Sequence, residues 1–67
     1  MANFEERTTT DVVVFEKIPD DVCEDLINHL ASFRDVGFTA NRERTSLAIP
    51  IGNQAGIQKA RTFLKAA

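Results

Sequence analysis

The sequence predicts an α+β fold, a three-stranded sheet with two helices on one face in the order β-α-β-β-α. Three observations predict it. Val12-Val13-Val14-Phe15 is a run of β-branched and aromatic residues that suits a pleated surface better than a helix. Val22, Leu26, Leu30 and Phe33 recur at helical spacing and form one apolar stripe. Leu47, Ile49 and Ile51 fall at spacing two, on one face of a strand, before Gly52 and Asn53 break it and cap a helix carrying Ile57, Ala60 and Leu64. Packing both helices on one sheet face buries all three patterns together.

Residues 1–10 are polar and read as a mobile N-terminal arm, with residues 11–67 as a single small α+β domain. Phe4 is the one large apolar group in that arm, and it suits either a tuck against the domain or an anchor for a partner. The first strand, Asp11 to Ile18, is apolar on both faces, with Val13 and Phe15 on one and Val12 and Val14 on the other. Pro19 fits a helix's first turn, where Asp20, Asp21, Glu24 and Asp25 complement the positive end of the dipole. Asp21 and Glu24 also have capping-box spacing. Cys23 and Ile27 widen the stripe of this first helix, and Arg34 closes it.

Val36 to Ala40 alternates as a second strand, Asn41-Arg42-Glu43-Arg44 is a polar tip, and Thr45 to Ile51 returns as the third strand of a hairpin. Residues 54–66 form the second helix, with Ile57, Ala60 and Leu64 inward, Phe63 beside them, and Lys59, Arg61 and Lys65 toward water. A crossover through the first helix leaves strands one and two parallel, with room for the third between them. Pro50 is awkward in a central strand because it has no amide to donate. Either it sits just past the paired segment or the third strand is an edge. In the split arrangement the first strand is an exposed apolar edge that needs cover.

A domain of 67 residues lies near the lower limit for a lone hydrophobic core. Small scaffolds add disulfides, a metal or a second copy. A single cysteine and a single histidine leave no intramolecular disulfide and no usual zinc site. The sequence therefore predicts no metal and no cofactor, and a homodimer through the first strand. No apolar run nears the ~20 residues of a membrane span, so no membrane association and a cytoplasmic location are expected. The formal net charge is −2, which argues against a generic nucleic-acid binder. The charge is dipolar: residues 1–43 hold all ten acids against four bases, and residues 44–67 hold four bases and no acid. Such a layout suits head-to-tail contact or a partner with matching poles.

Catalysis finds no support in spacing. Cys23 and His29 are six apart, about 240° around a helix axis, so no nucleophile–base pair forms. His29 follows Asp25 by one turn, the spacing of a surface ion pair, and Cys23 reads as a small buried hydrophobe. Gly52-Asn53-Gln54-Ala55-Gly56 lies where backbone amides hold anions, but it has no lysine and hydroxyl of a P-loop; capping and close packing account for it.

The closing half, a strand ending in Ile49-Pro50-Ile51-Gly52 before a helix with Ala60 and Leu64, is similar to the closing half of SPOR peptidoglycan-binding domains, without the aromatic that follows the glycine there. In element order and acidic character the chain resembles the DinI-like regulators of recombinase filaments, although its last helix is basic. These features read as a non-enzymatic protein–protein interaction module, of the kind a small bacterial or phage regulator or inhibitor would be. Its partner contacts are expected at Asp20, Asp21, Glu24 and Asp25 and along the first strand at Val12 and Val14. The alternative is nucleic-acid binding through the basic tip and second helix, with Arg42, Arg44, Lys59, Arg61 and Lys65 on phosphates.

Overall fold

The apolar run at residues 12–15 forms a strand, but it is the second of four rather than the first of three. In the computed structural model, which describes residues 3–67, Glu5–Thr8 is β1, Val12–Glu16 is β2, Asp20–Ala31 is α1, Thr39–Ala40 is β3, Leu47–Pro50 is β4 and Gln54–Ala66 is α2. The sheet is antiparallel throughout, in the order β1-β2-β4-β3. The expected β-α-β-β-α order is thereby corrected to β-β-α-β-β-α, and residues 5–8 of the expected arm belong to the sheet.

Charge and turn chemistry explain the added strand. Thr9 closes the β1–β2 turn: its amide donates to the Val12 carbonyl at 2.8 Å, and its hydroxyl accepts from the Asp11 and Val12 amides at 3.3 and 3.1 Å. With Glu6 opposite Phe15 and Arg7 opposite Val14, side chains alternate between the two faces. Arg7 reaches Glu16 at 3.1 Å and Lys17 reaches Glu5 at 2.6 Å, while Glu6 turns toward the helices and meets Arg61. Phe4 tucks against Phe15, ring centroids 6.1 Å apart. The edge of β2, expected to be open and to pair with a second copy, is filled by β1 of the same chain.

On its other side β2 pairs with β4, Val13 opposite Ile49 and Phe15 opposite Leu47. Pro50 is tolerated at the end of this central strand for a directional reason. The Ile51 amide donates to Asp11 on the β2 side, so alternation turns the Pro50 nitrogen toward β3. There β3 has already ended, Thr39 lying opposite Ala48. The chain then bends, with the Asn53 amide donating to the Pro50 carbonyl. That bend ends the alternation, so Ile51, expected to face the core, is 39% exposed.

Val13, Phe15, Leu47 and Ile49 form the sheet side of the core; Cys23, Leu26 and Leu30 of α1 and Ile57, Ala60 and Leu64 of α2 cover them, with Ile18 and Val36 at the margins. Both helices therefore lie on one sheet face. Pro19 is the N-cap of α1, which has no side-chain capping bond, so the Asp21–Glu24 capping box does not form. Helix α1 ends at Ala31, with Phe33 held by its amide on the Leu30 carbonyl. At the head of α2 the Asn53 side chain accepts from the Gly56 amide at 3.0 Å and donates to the Asp35 carbonyl at 3.1 Å, tying the α1–β3 connection to the helix.

Candidate functional site

The acidic residues Asp20, Asp21, Glu24 and Asp25 are all exposed on the first turns of α1. One of them meets a base, Glu24 lying 4.0 Å from Arg44. That arginine sits on the tip between β3 and β4, which Asn41 builds: its side-chain oxygen accepts from the Thr45 and Ser46 amides at 2.8 and 3.0 Å. Arg44 itself is left-handed, at φ 57°. Val12 and Val14 lie on the open sheet face, half-buried, with their backbones paired to neighbouring strands. The acidic cluster and these two valines therefore sit on different surfaces.

The five candidate cations for phosphate contact do not form one strip. Arg61 is tied to Glu6 by two bonds, Nε to Oε1 at 3.1 Å and Nη2 to Oε2 at 2.8 Å. Lys59, two residues earlier and therefore about 200° around the helix, lies over the Phe33 ring at 4.9 Å. Arg44 faces Glu24, while Arg42 and Lys65 are exposed. The cations thus divide between the β1 side of α2, the α1 side of α2 and the hairpin tip.

Reading from the sequence missed the cluster between the helices. His29 stacks on Phe63, centroids 5.1 Å apart and planes at 27°, and meets Phe33 edge-on at 5.2 Å and 82°. The expected Asp25–His29 ion pair is absent from the ion pairs among the described residues. The two helices run antiparallel, with His29 beside Phe63 and Phe33 beside Lys59, and this brings the Phe63 ring across to the imidazole. The i,i+4 spacing of His29 and Phe33 was a signal for half of this arrangement. Beside the rings a groove of about 470 Å³ runs along the outer face of α2, with Phe63 and His29 as its wall and Lys59 in its lining.

Cys23 is wholly buried in the core, and burial pushes its thiol above the ordinary range; Asp20 and Glu24 add to the rise and Arg44 opposes it. Among the described residues no three His, Cys, Asp or Glu side chains gather as metal ligands, and no helix is long and apolar enough to cross a membrane. No family model matches the chain, and no curated protein and no solved structure matches it. The resemblances to SPOR domains and to DinI-like regulators therefore rest on layout alone.

Proposed function

We propose that the chain is a non-enzymatic protein-interaction module that acts by occupying a surface on a larger partner, as a small regulator or inhibitor from a bacterium or phage does. The observation that carries this reading is the face between the helices, where the His29, Phe33 and Phe63 rings, Lys59 and a groove lie together on the outside. Aromatic side chains are enriched at the centres of protein interfaces, and a lysine at their margin adds charge that orients a partner. The exposed acidic turn of α1 supplies a second, oppositely charged contact region, suited to steering and orienting a basic patch on the same partner.

Nucleic-acid binding fits less well. Phosphate recognition by this chain would need its cations on one surface, and Arg61 and Arg44 are engaged with carboxylates on different sides of the molecule. Recovery of the protein from its native lysate, with and without nuclease, tests the reading. A protein that co-purifies at a constant ratio after nuclease treatment supports it. Nucleic acid lost on treatment, with no protein retained, overturns it.

A further inference from the structure

The groove along α2 has a direction, a wall and a charge that together specify an occupant. Ala55, Gln58, Thr62 and Ala66 line it at i, i+3, i+7 and i+11, one solvent-facing side of the helix. Over that span α2 rises about 16 Å, three turns, which is the footprint of a short helix rather than of a compact small molecule. Half-buried Phe63 and exposed His29 raise one wall of aromatic surface. Ala55, Thr62 and Ala66 are short, and Gln58 is the one long side chain on the floor, so a second helix can pack within the ~8–10 Å interaxial range.

The charge is one-sided. No carboxylate lines the groove. Lys59 lines the groove on the α1 side; Lys65 is outside the lining, and helical periodicity puts it two turns beyond Gln58, at the opposite margin. Neither lysine belongs to the ion pairs formed among the described residues. On α2 itself there is no acid at all.

We infer that this groove docks an acidic amphipathic helix of a partner protein. The partner helix lays an i, i+3/i+4, i+7 apolar stripe along Phe63, Ala55 and Ala66, and sets carboxylates on its two shoulders against Lys59 and Lys65. The inference rests on the interaction-module reading and names the partner's chemistry. The helix lies outward of α2, so docking needs no opening of the core.

The test is a titration of the isotope-labelled full chain, followed by backbone amide NMR. The probe is a synthetic amphipathic helix of about 15 residues, long enough to hold helical structure, with leucines on one stripe and glutamates on both shoulders. A second peptide carries lysines in place of the glutamates. The expected result is binding of the acidic peptide at least about tenfold tighter than the basic one, with shifts at His29, Lys59, Thr62, Phe63 and Ala66. Thr62→Glu, an exposed change that leaves the fold intact by circular dichroism, weakens the acidic peptide by about tenfold or more.

Equal binding of both peptides, no binding up to about 1 mM, shifts centred on the hairpin tip or the open sheet face, or self-association of the chain through the groove each overturns the inference. Recovery from lysate separates this failure from failure of the broader reading. A partner captured equally by wild type and Thr62→Glu leaves the module standing and removes the groove; no partner with wild type removes the module.

Discussion

Glu6 of β1 and Arg61 of α2, 55 positions apart in sequence, form a two-pronged ion pair with bonds of 2.8 and 3.1 Å. Each side chain is 30% exposed, the least exposed of the ion pairs among the described residues. The Glu6 hydrogen bond raises the Arg61 pKa above its ordinary value. The pair joins the first strand to the last helix, beside the β1–β2 ladder and the Phe4–Phe15 contact.

A double-mutant cycle with Glu6→Gln and Arg61→Ala measures that link. The expected coupling is about 0.5–1 kcal/mol for a two-pronged but partly solvated pair. Hydrogen exchange at Glu5–Thr8 accelerates in each single variant, while amides of β4 keep their protection. A coupling near zero with unchanged exchange shows that the β1–β2 ladder and Phe4 suffice without the pair.

Gly56→Ala runs against helix propensity. Alanine in a helix interior ordinarily gains about 1 kcal/mol over glycine, which is an upper bound for Gly56 in the first turn of α2. Here an added Cβ would lie 3.0 Å from Val36 Cγ1 and 3.1 Å from the Asn53 side-chain oxygen. Val36 is buried, and Asn53 is held by bonds to Gly56 and Asp35. Neither neighbour yields without losing packing or the cap, itself worth about 1 kcal/mol. Chemical denaturation is expected to show Gly56→Ala less stable than wild type; a gain near the propensity value contradicts this packing account.

Arg44→Gly is expected to stabilise the chain. Arg44 holds φ 57°, a left-handed conformation that costs a residue with a Cβ about 1–2 kcal/mol. Glycine removes that strain and adds about 0.5–1 kcal/mol of unfolded-state entropy. The ion pair with Glu24, which glycine cannot make, is long and solvated. The expected net is a small gain in the denaturation midpoint, and a clear fall shows that the Arg44–Glu24 pair matters more than its geometry implies.

Cys23 predicts an alkaline loss of stability. Burial raises the folded thiol's pKa above that of the unfolded chain. Below the unfolded value both states keep the proton and this contribution is complete. Above about pH 8.5 the unfolded thiol ionises first, so stability falls with rising pH until the folded thiol titrates as well. Stability followed between about pH 8 and 10 declines less steeply in Cys23→Ala than in wild type. Alkylation of native Cys23 is correspondingly slow and limited by opening, and rapid labelling contradicts its burial.

The helices and central strands were legible because their periods are strong. Cys23, Leu26 and Leu30 face inward on α1, and Val13, Phe15, Leu47 and Ile49 face inward on the sheet, as alternation and helical spacing require. The first strand was not legible, since Glu5–Thr8 is wholly polar and exposed. Its place is set by the Thr9 turn, by the cross-strand pairs Arg7–Glu16 and Glu5–Lys17, and by Glu6–Arg61 across 55 positions, none of which an apolar period announces. Ile51 misled for the opposite reason: its spacing matched Leu47 and Ile49, yet the bend after Pro50 turned it outward. For the candidate site, the charged residues were visible and their grouping was not. The five cations spread over three directions, and the His29–Phe63 stack depends on the antiparallel packing of two helices, its rings 34 positions apart in sequence.

Hydrogen exchange on the complex recovered from nuclease-treated native lysate tests the central claim most directly. The account predicts new protection along α2 and the end of α1, around His29, Phe33, Lys59 and Phe63, with the Arg42–Arg44 tip unchanged. Protection confined to that tip, or recovery of the chain with no bound protein, contradicts it.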